Sequence, residues 1–251
     1  MRYRLTIAYD GTDFAGWQRQ AGARTVQGEI EAAFARVFGS AITVNGSGRT
    51  DSGVHAAGQV AHVDIEKDVP PHRLCMALNA HLRGMGIGVL SAQKTAPDFH
   101  ARFSARRRFY DYRLVNRAAP PVFLSRYAWH VPQKIDCAIM GESAKTLLGT
   151  HDFSAFRAAR CGAKSPIKTL ENFSITQDEN VIRLSFMARS FLYRQVRLMV
   201  GTLVGIGRGK YPPDHIAHVL ASRDHARAGP TAPARGLTLT GVCYDRDPAG
   251  A

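Results

Sequence analysis

The chain has 251 residues, 45% apolar and 21% charged, a composition that suits one large or two modest globular units and excludes a disordered or fibrous protein. Lysine and arginine number 33 against 20 aspartates and glutamates, leaving a net charge of +13. An excess of that size favours a polyanionic partner, because each phosphate neutralised releases counterions.

Alternation begins at once. Tyr3, Leu5, Ile7 and Tyr9 share one face of residues 2–10, the pattern of a half-buried strand. No apolar signal-peptide core precedes it. A glycine-rich loop follows, Asp10-Gly11-Thr12-Asp13-Phe14-Ala15-Gly16-Trp17. Val26, Ile30, Phe34 and Val37 then lie on one side of a helix over 26–38, with Gly39 as its stop. A second strand is predicted over 42–44 and a third over 59–65, separated by Asn45-Gly46-Ser47-Gly48-Arg49-Thr50-Asp51-Ser52-Gly53-Val54-His55-Ala56. Pro70 and Pro71 open a helix reaching Ala80.

The second half echoes the first. Residues 108–115 alternate like the opening strand, and Ile135, Ile139, Leu147 and Leu148 give helical spacing behind Asp136, a candidate N-cap. Strands are predicted over 170–176 and 181–187, and a helix over 191–206. Another helix starts from Pro212 and Pro213 and carries Ile216, Val219 and Leu220; a closing strand covers 237–244. The apolar run at 198–206 is interrupted by glycine and too short for a bilayer. Cys75, Cys137, Cys161 and Cys243 are spaced too irregularly for a disulfide framework or zinc site, so buried free thiols and a cytoplasmic location are expected. The fold class read from this order is α+β. It is a mixed, largely antiparallel sheet flanked by helices, in two similarly built halves (1–104 and 105–251).

Four segments can carry chemistry. In 46–55 three glycines permit close approach of a ligand to the main chain, but the spacing fits neither a dinucleotide fingerprint nor a phosphate-binding Walker loop. Its carboxylate, Asp51, follows Arg49 by two residues, and a nearby guanidinium favours an ionised nucleophile or base. On spacing alone an Asx turn explains the segment better. The second runs from Phe99 through Arg102, Phe103, Arg106, Arg107, Arg108, Phe109 and Tyr110 to Arg113. Guanidinium groups there can take phosphates while rings stack on bases. Phe103 and Phe109 read better as a buried aromatic face; the arginine run reads less well as a solvated one, since its charges repel without an anionic partner. The third, 190–197, enters an apolar helix in which Arg197 needs a carboxylate or carbonyls, with Asp51 a candidate partner. The fourth is the basic loop 160–168. His215 and His218, one turn apart without a third ligand, read as surface residues rather than a metal site.

At these residues the chain resembles the TruA-type tRNA pseudouridine synthases. Gly48-Arg49-Thr50-Asp51-Ser52-Gly53-Val54-His55-Ala56 is similar to that family's catalytic motif. Tyr9 to Gln18, Leu78-Asn79-Ala80, Phe99 to Ala105, Phe191 to Arg197 and Thr231 to Leu237 follow in family order. The resemblance implies isomerisation of uridine to pseudouridine at nucleotides 38 to 40 of the tRNA anticodon arm, by a homodimer without cofactor or metal. It implies that Asp51 is the nucleophile and that Arg49 moves as the target base is displaced. It further implies that the active-site cleft lies between the two halves, that Tyr110 packs on the target nucleoside, that Arg197 pairs with Asp51, and that Leu237 lies near the pocket. Two departures are visible: residues 82–87 lack the family's Pro-Asp, and Ser52 stands where Ala is frequent.

The residues agree with that reading. Substrate and product are isomers, so neither a redox carrier nor ATP is needed. A single aspartate can attack the ribose C1′ or the ring, or remove a ribose proton, whereas glycosidases place two carboxylates. Arg106, Arg107 and Arg108 are expected to meet tRNA phosphates. A non-catalytic basic RNA-binding protein explains the charge but leaves the Asp51 loop without a purpose; a metal-dependent nuclease needs clustered carboxylates that the sequence lacks.

Overall fold

Strand-forming alternation at the start of the chain produces a strand in the computed structural model, which describes residues 1–159 and 161–244. β1 (Arg2–Tyr9) buries every second residue, Tyr3, Leu5, Ile7 and Tyr9. α1 (Val26–Phe38) has the predicted bounds. Thr25 caps it by accepting from Gly28 N, and Gly39 ends it in the left-handed region at φ 71°. The remaining elements are β2 (Asn45–Gly46), β3 (His55–Asp64), α2 (Pro71–Leu82), β4 (Ile87–Lys94), β5 (Ala105–Val115) and β6 (Trp129–His130), then α3 (Cys137–Lys145), β7 (Gly149–Asp152), β8 (Ile167–Asp178) and β9 (Val181–Ala188). α4 (Gln195–Gly207), α5 (His215–Ser222) and β10 (Leu237–Tyr244) complete the described chain.

Contacts divide the chain into two units, Met1–Arg106 with the chain from Thr238, and Arg107–Leu237. In the first, strands run in the order β4-β1-β3-β10. β1 is antiparallel to both β3 and β4, and β10 joins β3 in parallel with Thr238 opposite His55. Leu74, Leu78 and Leu82 of α2 are buried with Ile30 and Phe34 of α1. Asn79 of α2 exchanges two hydrogen bonds with Val89 of β4, at 2.9 and 2.8 Å, and so serves that strand as a pairing partner. In the second unit the order is β5-β9-β8-β7, antiparallel throughout, with β6 parallel to β5. α4 is buried on almost every side; Arg197 is the exception within it. The architecture is thus the mixed, largely antiparallel α+β class read from the sequence.

Several elements differ from expectation for physical reasons. Residues 42–44 form no strand, because Val44 gives both its backbone groups to side chains of α1: Val44 N donates to Glu31 Oε1 (3.1 Å) and Val44 O accepts from Gln27 Nε2 (3.0 Å). α4 begins at Gln195 rather than Phe191. Arg194 adopts φ 60°, and the Gln195 side chain accepts from Leu192 N, turning the chain before the helix starts. Phe103 is 71% exposed rather than part of a buried face. It lies in the turn before β5, its ring 4.4 Å from that of His100. The four cysteines are free thiols, half-buried rather than fully buried. Of the basic loop, Arg160 lies outside the described residues. Among the described residues no helix is long and apolar enough to cross a membrane.

Candidate active site

The Asp51 turn is built almost entirely by main chain from the glycine-rich loop. Trp17 N donates to Thr50 O (3.1 Å), Gly53 N donates to Phe14 O (3.4 Å), and Val54 N closes the turn onto Asp51 O (3.1 Å). Ser52 Oγ also donates to Phe14 O (3.1 Å). On the buried side Tyr9 Oη and Thr50 Oγ1 lie 2.7 Å apart, and Gly11 N donates to His55 Nδ1 (3.1 Å). Two glycines make this approach possible. A Cβ at Gly11 would stand 2.0 Å from Val54 O, and one at Gly16, itself at φ 102°, would stand 2.7 Å from Thr50 O. The entry to the turn is fixed from β3: buried Gln59 accepts from Ser47 Oγ (2.7 Å) and donates to Gly48 O (3.0 Å). The Asp51 backbone is therefore held from both directions while its side chain stays half-exposed, which is the geometry a reactive carboxylate needs.

Arg49 is exposed, and its Nε donates to Gln18 Oε1 (3.1 Å). Sequence reasoning missed Gln18 in this role, as it missed Tyr9 and Gln59. The available signal was a polar residue inside the opening motif with no apolar periodicity to explain it.

The second unit gathers another set. Tyr110 of β5 meets Phe191 edge-on, ring centroids 5.3 Å apart at 89°, just ahead of α4. Arg197 Nε donates to Ala232 O (2.8 Å), and Ala232 N returns a bond to Arg197 O (3.1 Å). Next to this segment Tyr112 Oη donates to Pro233 O (2.8 Å), and its ring fills the space against Gly236. Burial pushes the Tyr112 phenol well up, against the opposing pull of the Arg197 and Arg235 guanidinium groups. The phenol is therefore a fixed donor rather than an acid. Leu237, 6% exposed, directly precedes Thr238, the residue opposite His55. The site candidates thus fall into two groups, Arg49 and Asp51 in one unit and Tyr110, Arg197 and Leu237 in the other.

The arginine run has partners that the sequence did not reveal. Arg107 Nε meets Glu171 Oε2 at 2.6 Å, and Arg108 donates to the Arg189 carbonyl. Arg106 and Arg107 are exposed and Arg108 half-buried. Among the described residues no three His, Cys, Asp or Glu side chains cluster as metal ligands.

The family model described as tRNA pseudouridine synthase matches residues 5–104 and 143–245. The chain is 52% identical over 243 residues to a tRNA pseudouridine synthase A of Paramagnetospirillum magneticum, covering 97% of this chain and 95% of that relative. It is 51% identical to one of a Methylobacterium species over 97% of each, and 50% identical to one of Cereibacter sphaeroides over 100% of this chain and 99% of that relative.

Proposed function

The chain belongs to the tRNA pseudouridine synthase family, and from that premise we propose that it isomerises uridine in the anticodon stem-loop of tRNA, at nucleotides 38 to 40, with Asp51 as nucleophile. The chemistry breaks the glycosidic C–N bond, turns the uracil and joins its carbon to the same ribose. A carboxylate serves by adding to C1′, by adding to the ring or by removing a ribose proton. All three require an accessible oxygen on a main chain that does not yield. The observation that carries the reading is the Asp51 turn, backbone-held on both sides with its side chain half-exposed.

The other roles follow from the resemblance and are consistent with local geometry. Reaching a stacked base requires extrusion at a cost of a few kcal/mol, offset by aromatic and phosphate contacts. Tyr110, held edge-on by Phe191, offers a ring face for the extruded nucleoside. Arg197, oriented through Nε by Ala232 O, is the cation that the resemblance assigns to the Asp51 carboxylate. Leu237 supplies an apolar wall, Arg49 moves with the displaced base, and Arg106, Arg107 and Arg108 meet phosphates. The working form is a cytoplasmic homodimer, as the family resemblance implies.

The test is to incubate the purified chain with unmodified tRNA transcripts and map pseudouridine. Wild type is expected to modify nucleotides 38 to 40, and Asp51→Asn none. No pseudouridine on any tRNA would overturn the enzyme reading in favour of an RNA-binding protein; product at other nucleotides would overturn the anticodon assignment.

A further inference from the structure

We propose that Gln18 is a positioning residue for Arg49, set by a polarised hydrogen-bond chain that starts at the carboxylate of Glu31. The inference rests on the reading above, in which Arg49 serves beside Asp51, and it concerns residues that reading does not use.

The chain of bonds has one permitted direction. Glu31 Oε1 and Val44 O can only accept, so the group of Gln27 that faces them, at 2.9 and 3.0 Å, must be its NH2. Arg19 N can only donate, and it reaches the other end of the same amide, Oε1, at 2.9 Å. The orientation of Gln27 is thereby fixed twice over, by partners whose own polarity is not in question. Gln27 Oε1 also receives Gln18 Nε2 at 2.8 Å, so Gln18 must turn its carbonyl the other way. That carbonyl is what Arg49 Nε meets at 3.1 Å. Glu31 is itself held: Val44 N donates to its Oε1 at 3.1 Å, and its Oε2 faces Arg19 Nη1 at 3.4 Å.

Burial makes the upstream members stiff. Gln27 is 7% exposed and makes four hydrogen bonds, so flipping it would set carboxylate against carbonyl at one end and N–H against N–H at the other. Stiffness passes to Gln18, which is half-buried, and from there to an arginine that is exposed. A long guanidinium side chain on a loop would otherwise sample many rotamers. A single directional contact at Nε orients the planar group and leaves its terminal nitrogens for the substrate. Aligned amide dipoles strengthen the final acceptor, since each bond polarises the next.

A residue acting only on stability would give the same loss whether or not Arg49 is present, and a double-mutant cycle separates the two cases. Gln18→Leu is expected to lower the rate at saturating tRNA by about three- to tenfold, the scale of one ordinary net hydrogen bond at an exposed side chain, with tRNA affinity unchanged. In an Arg49→Ala background the same change should have no further effect. Gln18→Glu keeps an acceptor for Arg49 but sets a second acceptor against Gln27 Oε1, so it should recover only part of the rate. Independently of activity, the Arg49 Nε–H should give a slowly exchanging 15N resonance in wild type that is lost in Gln18→Leu. Equal losses in both backgrounds, or an Nε–H signal unmoved by Gln18→Leu, would overturn the inference. A wild-type chain that makes no pseudouridine would instead fail the functional reading, and the Nε–H signal alone would then decide the Gln18 proposal.

Discussion

At the Asp51 turn the functional side chain stands on a main chain gripped by Phe14, Trp17, Val54 and, through side chains, Gln59. Along Arg106 to Arg108 of β5 the arrangement is reversed. The backbone is ordinary strand, and the groups proposed to meet phosphates are long cationic side chains, one against Glu171 and one against a carbonyl. The first region is specified by geometry and loses its purpose if the chain shifts by a fraction of an ångström. The second is specified by charge and degrades by degrees. The proposed function gives chemistry and affinity to parts of the molecule with different failure modes, and substitutions should separate them.

The largest structural effect should come from Gly11→Ala. The new methyl group meets the Val54 carbonyl, a backbone atom with nowhere to retreat. The expected cost is about 3 kcal/mol, at the upper end for overpacking. For a chain of this size that corresponds to roughly 10 °C in melting temperature. Any residual folded protein should have lost most of its activity with no gain in salt sensitivity. Calorimetry checks the first and a salt series the second; a variant as stable as wild type would remove the close-packed loop from the account.

Acid should reveal a buried polar group elsewhere in the same unit. His62 of β3 accepts from Ala101 N (3.1 Å), and its pKa is lowered to about 4, first by burial and then by the neighbouring His100. Its folded-state value lies below the unfolded one of about 6.5, so as the pH falls the unfolded chain takes the proton first. The stability contributed by the neutral ring is complete above about 6.5 and is lost between there and about 4. Between pH 7 and pH 5 the loss should be about 2 kcal/mol. Denaturant unfolding at the two pH values should show this drop in wild type and a smaller one in His62→Asn, whose carbonyl can still accept from Ala101 N. Equal drops would place the acid sensitivity elsewhere.

The charged region should respond more mildly. Replacing Arg106, Arg107 and Arg108 together by Gln is expected to weaken tRNA binding about tenfold at physiological salt. The slope of log affinity against log salt should flatten by roughly 0.7 to 0.9 for each phosphate no longer neutralised. The rate at saturating tRNA should hold. An unchanged slope in filter binding would take tRNA phosphates away from the run.

Much of this was legible in the sequence where one local rule dominates. α1 carries its stripe, its cap and its stop within fifteen residues, and β10 sets Leu237, Leu239, Val242 and Tyr244 inward with a single phase slip at Gly241, so the bounds of both are legible. β4 escaped notice because glycine sits inside it and a register shift against β1 at Thr6 and Ile7 breaks its alternation. The non-strand at 42–44 escaped because its hydrogen-bond partners are Gln27 and Glu31, on a helix earlier in the chain. The same limit applies to the site. Asp51 and Arg49 stand in a motif that sequence displays, whereas the contacts of Arg49 with Gln18 and of Arg107 with Glu171 exist only once distant segments fold together.

The central claim is that one carboxylate performs the chemistry and contributes little to holding the tRNA. Single-turnover pseudouridine formation by Asp51→Asn at saturating tRNA, measured beside its equilibrium tRNA affinity, tests that claim most directly. The rate should fall by at least about a thousandfold, as when a group acting in the transition state is removed, while affinity stays within about threefold of wild type. Product formed at the wild-type rate would contradict it.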